Sequence, residues 1–240
     1  MTPSARNKAS GESQPGGVAR YDFQGGKFVR SWVVQWEESH AKEILVADVN
    51  GDGKDELYVV REGHTVKGAD GKLQIKDPVK LLRFDYVSSA QSSSSAKSSS
   101  SAKSSSSAES LSSGKSSGRW TEVEVGSIPD KQTRFLVAGD VDHDGKTDLV
   151  AASEGKGLFL LRQQADGTFA NTLIDADSGG FEHASTVGDL DGDGKLEIYV
   201  AADKQKQFRR YLWNGTAFDK TVIAPIPPQH ITWNLQEAKI

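Results

Sequence analysis

The sequence predicts an all-β fold made of repeated four-stranded antiparallel sheets. Three observations lead there. The apolar runs are short, rich in β-branched residues and punctuated by Gly, Asn and Asp, which is how strands and their turns read. No stretch sustains an apolar period of 3.6 residues, so no helix is expected. An acidic pattern recurs between successive apolar runs: DVNGDGKDE from Asp48 to Glu56, DVDHDGKTD from Asp140 to Asp148, and DLDGDGKLE from Asp189 to Glu197.

Taken in order, residues 1–17 are polar and rich in Ser, Gly and Pro, and read as a disordered tail. Val18 to Trp36 alternates apolar and polar residues around Gly25-Gly26, a hairpin signal. Ile44–Ala47 and Leu57–Val60 flank the first acidic loop as strands. Glu62 to Asp77 is a polar excursion with a turn signal at Asp70-Gly71, and Val79–Tyr86 is a further strand. Residues 88–118 are mostly serine with scattered Ala and Lys; too few apolar groups are present to offset ordering entropy, and a flexible insertion is expected.

Arg119–Val125 returns to strand character. Phe135–Gly139 and Leu149–Ala151 flank the second acidic loop, and Leu158–Arg162 with Phe169–Ile174 form a hairpin across Ala165-Asp166-Gly167. Ala184–Gly188 and Ile198–Ala201 flank the third loop. Phe208–Trp213 and Phe218–Ile223 form a hairpin across Asn214-Gly215, and His230–Leu235 is a last strand-like piece after a proline-rich link.

The repeat can be measured. Twenty residues separate Phe28 from Asp48, Trp120 from Asp140 and Phe169 from Asp189. Twenty-nine separate Asp140 from Phe169 and Asp189 from Phe218, so one unit is 49 residues. The interval from Asp48 to Trp120 is 43 residues too long, and the serine tract together with the 62–77 excursion accounts for it. Because Trp120 keeps its distance to Asp140, the tract belongs inside a surface hairpin, where loop closure makes its length inexpensive. A period of roughly 40–50 residues with four strands per unit is that of β-propeller blades. Three full blades plus a split or partial fourth are expected, with domain limits 18–240. Length permits closure with four blades, but Ala238 stands where a fourth acidic loop would begin. An incomplete arc, completed by further blades or another chain, is favoured.

Composition narrows the function classes. Hydrophobic residues make up 36% of the chain and the net charge is −4, which supplies no general basic field for nucleic acid. There is no cysteine, hence no disulfide, thiolate site or cysteine nucleophile. No apolar run reaches the roughly 18 residues of a membrane span, and the N-terminus lacks the apolar core of a signal peptide.

Each acidic loop places oxygen donors at positions 1, 3, 5 and 9, a main-chain carbonyl at 7 and a glycine at 6 for a sharp turn. The expected ligands are Asp48, Asn50, Asp52, Glu56 and the Lys54 carbonyl; Asp140, Asp142, Asp144, Asp148 and the Lys146 carbonyl; Asp189, Asp191, Asp193, Glu197 and the Lys195 carbonyl. Such all-oxygen sets suit Ca²⁺ better than Mg²⁺, which demands stricter octahedral geometry. About three Ca²⁺ sites are expected, and their crowded carboxylates should couple metal to folding. An EF-hand would need a glutamate at position 12, where Val59, Ala151 and Val200 stand instead.

These loops, with the hairpin signature Gly26-Lys27-Phe28, Gly167-Thr168-Phe169 and Gly215-Thr216-Ala217-Phe218, resemble the FG-GAP/VCBS repeats, the family that includes the integrin α-subunit propeller and several bacterial and fungal propellers. The Phe-Gly and Gly-Ala-Pro signals of the integrin branch are missing, so the VCBS-like branch is the better likeness. The resemblance implies structural Ca²⁺, a role in adhesion or protein assembly, and an extracellular or periplasmic setting. A protein partner is the first expectation, and a glycan bound in a lectin-like manner the alternative.

Catalysis reads poorly. His40, His183 and His230 lie near strand starts, where capping or polar satisfaction explains them, and His143 is a loop residue. No nucleophile elbow, phosphate loop or zinc-protease motif occurs, and acids repeated evenly argue against a hydrolase, the second alternative. Trp120, Phe169 and Trp213 could stack on sugars, with packing the plainer role. Asn214-Gly215-Thr216 matches a glycosylation sequon.

Overall fold

The computed structural model describes residues 15–37, 40–88, 118–180 and 183–236. Among them the regular structure is all strand: β1 (Gly16–Gln24), β2 (Lys27–Trp36), β3 (Ala41–Ala47), β4 (Glu56–Arg61), β5 (His64–Lys67), β6 (Leu73–Asp77), β7 (Val79–Ser88), β8 (Gly118–Ile128), β9 (Thr133–Gly139), β10 (Asp148–Ser153), β11 (Gly157–Gln163), β12 (Phe169–Asp175), β13 (Ser185–Gly188), β14 (Glu197–Ala202), β15 (Gln207–Trp213) and β16 (Phe218–Pro225). Among the described residues no helix is long and apolar enough to cross a membrane.

Three four-stranded sheets have the orders β3-β4-β7-β8, β9-β10-β11-β12 and β13-β14-β15-β16. The latter two are simple antiparallel meanders. Each acidic loop joins the first two strands of its sheet, and in the second and third sheets a glycine-turn hairpin joins the last two, whereas the Gly25-Gly26 hairpin forms a two-stranded sheet of its own. The first sheet carries an extra hairpin, β5-β6, between its second and third strands. The polar excursion is therefore ordered: Gly71 takes φ 77° and the Lys72 N–H bonds the Asp70 carboxylate, closing its turn.

Two further readings are corrected. Gly16 and Gly17 are not tail but the buried start of β1, paired with Trp36 and Gln35. His230–Leu235 forms no strand; residues 231–236 run without ladder bonds. The serine tract and residues 1–14 lie outside the described residues, but β7 and β8, which flank the tract, are adjacent in their sheet.

The chain divides into two compact units. One comprises Met1–Ala41 with Phe84–Val123. Its β1-β2 hairpin turns on Gly25 and Gly26, both at positive φ (56° and 82°), the geometry that two-residue hairpin loops need to match strand twist. Trp36 packs at 6.5 Å on Phe84 and donates its indole N–H to Glu122, and Tyr86 packs at 5.1 Å on Trp120. Tyr21, Phe23, Phe28 and Trp32 remain exposed on the hairpin.

The other unit, Lys42–Arg83 with Glu124–Ile240, holds the main core. β10 and β14 are buried along their whole length, which explains runs that are apolar at successive positions rather than alternating. Val150 and Ala152 of β10 and Leu158 and Leu160 of β11 meet Ile198, Val200 and Ala202 of β14 and Tyr211 of β15 in one cluster. Phe169 packs edge-on against Tyr58 at 5.9 Å, and Trp213 against Phe218 at 5.0 Å, so these aromatic positions serve packing.

A polar knot sits beside this core. His183, wholly buried, shares a 2.8 Å hydrogen bond with Ser178, and the Tyr211 hydroxyl donates to Asp175 at 2.8 Å. Arg209 reaches Asp175 and the Asp177 carbonyl from the same strand. Burial, then the nearby Arg209 charge, lowers the His183 pKa to about 4. The unfolded chain binds this proton near the ordinary histidine value of about 6.5. The neutral ring therefore contributes stability that is complete above about pH 6.5 and is lost as pH falls toward 4, on the order of 3 kcal/mol. Urea unfolding at pH 7, 5.5 and 4.5 should show this loss, and His183→Gln should flatten the curve over that interval relative to wild type.

Candidate metal loops and their surroundings

The three loops share one local geometry, set by the aspartate at position 1. Asp48 accepts the N–H groups of Gly51, Asp52 and Gly53 on its two oxygens. Asp189 accepts those of Gly192, Asp193 and Gly194, at 2.8–3.0 Å. Asp140 accepts those of Asp144 and Gly145. Position 5 repeats the theme one step on: Asp52, Asp144 and Asp193 accept the N–H groups of Lys54, Lys146 and Lys195. The turn that allows this needs left-handed backbone at positions 4 and 6. Gly51 and Gly53, and Gly192 and Gly194, supply it with φ between 75° and 86°. In the second loop His143 takes position 4 at φ 56°, a conformation costly for a side chain.

The structure brings together Asp48, Asp52 and Glu56; Asp140, Asp142 and Asp144; and Asp189, Asp191 and Glu197, with one carboxylate oxygen from each within 4.8 Å of the others in its group. Asn50 turns its amide onto Glu56 at 2.6 Å. Asp193 and Asp148 fall outside these groups of three.

Position 9 gives the sharpest test of fit. Glu197 and Asp148 are wholly buried, and each has one carboxylate oxygen without a hydrogen-bond partner: Oε1 of Glu197 and Oδ2 of Asp148. Their other oxygens are engaged, by the Tyr199 hydroxyl at 2.9 Å and by the Gln163 N–H at 3.0 Å. Burial pushes the Asp148 pKa up to about 7; Asp142 and Asp144 add to this, while Gln163 and Arg162 oppose it. An unpartnered buried carboxylate oxygen costs on the order of several kcal/mol when ionised. Beside clustered hard oxygen donors it fits a cation such as Ca²⁺.

Sequence reasoning missed the groups that brace these acids. Arg162 of β11 pairs with Asp142 at 2.5 Å, and Arg210 of β15 pairs with Asp191 at 3.0 Å. Position 3 of the first loop is Asn50, neutral, and needs no such partner. The signal was present: an arginine stands 20 residues after Asp142 and 19 after Asp191. Gln163 also donates its side-chain amide to the Val49 carbonyl, tying the first loop to β11.

Residues 140–200 match the FG-GAP-like repeat. The matched segment runs from the second acidic loop into β14, containing two loops and the hairpin between them. No curated protein matches the chain. Among solved structures, a lectin of Agrocybe aegerita, described for its specific recognition of non-reducing terminal N-acetylglucosamine, is 13% identical, with a TM-score of 0.36. The alignment covers 87% of this chain and 61% of that one. The chain thus spans less than two thirds of that lectin's length.

Two outcomes follow from the geometry of the second loop. His143→Gly relieves the left-handed strain and should hold or raise stability by up to about 1 kcal/mol, whereas β-branched His143→Val should lower it by about 1–2 kcal/mol, read by thermal unfolding. Arg162→Gln leaves the buried Asp142 without its cation. It should lower the melting temperature of chelator-treated protein yet tighten Ca²⁺ binding at that loop, because a competing positive charge is gone.

Proposed function

We propose that the chain is a Ca²⁺-stabilised, non-enzymatic β-propeller segment that serves as a scaffold for protein association. In this reading the domain spans residues 18–240, its three four-stranded sheets are blades, and the β1-β2 hairpin is part of a fourth. The serine-rich stretch 88–118 is an insertion in an outer hairpin. The observation that carries the reading is the threefold recurrence of one acidic cradle at one place in each sheet, with buried position-9 oxygens left unpartnered in two of the three.

The Ca²⁺ ligands would be the position 1, 3, 5 and 9 side chains of each loop, with the carbonyls of Lys54, Lys146 and Lys195. A bound cation supplies the charge that lets these carboxylates stay ionised side by side. The protein groups do the rest: the position-1 aspartates set the turn, and Tyr199 and Gln163 orient the position-9 acids. An extracellular or periplasmic setting suits such sites, since free Ca²⁺ is abundant there. The exposed aromatic face of β1-β2, with Phe23 and Phe28 in edge contact at 5.3 Å, supports association as the working surface.

Calorimetric titration of chelator-treated protein should find about three Ca²⁺ per chain, with a higher melting temperature on loading. Asp189→Ala should remove one site and leave the others. An unchanged melting temperature across the titration would defeat the reading.

A further inference from the structure

Asparagine followed by glycine occurs twice in the chain, at Asn50-Gly51 in the first acidic loop and at Asn214-Gly215 in the turn between β15 and β16. Asparagine is chemically labile, most of all before glycine. The following nitrogen stands next to the side-chain carbonyl carbon, and a glycine has no side chain to shield it. All four residues are exposed, and nothing lies within 4 Å of where a Cβ would stand on either glycine.

The two sites are alike in most respects. Asn50 Oδ1 accepts the Asp52 N–H at 2.8 Å and Asn214 Oδ1 accepts the Thr216 N–H at 3.0 Å, and either bond polarises the carbonyl toward attack. Each amide nitrogen donates to an acid, Asn50 to Glu56 at 2.6 Å and Asn214 to Asp219 at 2.9 Å. They differ at the attacking nitrogen. The Gly51 N–H donates to the Asp48 carboxylate at 2.8 Å, so a base already holds the proton this nitrogen must lose. No carboxylate accepts the Gly215 N–H among the described residues. Asn214 is therefore an internal control for Asn50. Asn50 is also the odd member of its set, because position 3 of the other loops is a carboxylate, Asp142 or Asp191.

We propose that Asn50 is a site of spontaneous deamidation assisted by Asp48, and that the aspartate so formed gives the first loop the four carboxylates of the other two. The Gly51 nitrogen adds to Asn50 Cγ as Asp48 takes its proton. That proton passes to the departing amide nitrogen, the Cγ–Nδ2 bond breaks, and ammonia leaves behind a succinimide ring. Water then adds at Cγ and opens the ring to aspartate, returning a proton to the Gly51 nitrogen. The consequence for the loop rests on the metal reading above: a further carboxylate raises the charge offered to Ca²⁺, and without a cation it stands against Glu56 and repels it.

The test ages the chelator-treated full chain at neutral pH and follows both asparagines by peptide mapping and mass spectrometry. Asn50 should deamidate several-fold faster than Asn214, with aspartate among the products at position 50. Chelator-treated Asn50→Asp should melt below wild type, and it should bind Ca²⁺ several-fold more tightly at one loop while the other sites keep their affinity. Equal rates at the two asparagines, isoaspartate as the sole product at position 50, or first-loop Ca²⁺ affinity no higher in Asn50→Asp than in wild type overturns the proposal. Absence of Ca²⁺ binding by every loop overturns the metal reading instead, and the comparison of the two asparagines then decides the deamidation by itself.

Discussion

Everything regular in this molecule hangs on an aspartate that folds the chain around itself. At the head of each acidic loop, one carboxylate gathers the N–H groups of residues three to five positions on, or four to five in the second loop. These donors would otherwise be spent on water, and charge-assisted bonds of this type are the stronger class. The bonds force two left-handed residues within three positions, and that turn brings the first strand of a sheet back antiparallel to the second. The same turn gathers three carboxylates of each loop close together, with Asp142, Asp148 and Glu197 buried and Asp52, Asp144, Asp191 and Asp193 left exposed. Stability and the crowding of charge therefore come from one device, and the device leaves the position-9 oxygens facing a place where a cation belongs.

The sheets show how the crowding is tolerated. The second strands β10 and β14 are buried on both faces, so a position-9 acid at their start is drawn into the interior with them. A buried carboxylate needs partners, and each one has found a different donor: a tyrosine hydroxyl for Glu197, a main-chain N–H for Asp148. Arginines from the third strands neutralise the position-3 acids in the second and third loops. The first loop, with Asn50 in that place, bonds the asparagine amide to Glu56 instead. Equivalent loops have thus reached charge balance by unlike means, which is expected where only the net field at the site is constrained.

Much of this was legible in the chain. The 49-residue period, the strand–loop–strand order and the paired hairpins are all present in the structure, because strand alternation and turn chemistry act over a few residues. What was missed has the same root. Residues 62–77, read as a polar excursion turning at Asp70-Gly71, do turn there, and the structure adds that the two arms pair as a hairpin, which needs only local pairing and a good turn. His230–Leu235 has the apolar alternation of a strand, but residues 231–236 join no ladder among the described residues, and local alternation alone does not make a strand. His143 is exposed, as its loop position implies; what the sequence did not show is its left-handed φ of 56°, imposed by the loop.

By itself, then, the sequence determined the all-β class, the repeat and the identity of the clustered acids, since each rests on hydrogen bonds and periodicities that close within about ten residues. The tertiary structure alone decided which acids are buried and unpartnered, that Arg162 and Arg210 are the counter-charges of Asp142 and Asp191, and that Lys42, Arg134, Ser185 and Trp233 border one cavity. Those relations join residues up to about two hundred positions apart in the chain. They depend on how strands lie in each sheet and how the sheets stack, and long-range burial of that kind leaves no mark in any short stretch of sequence.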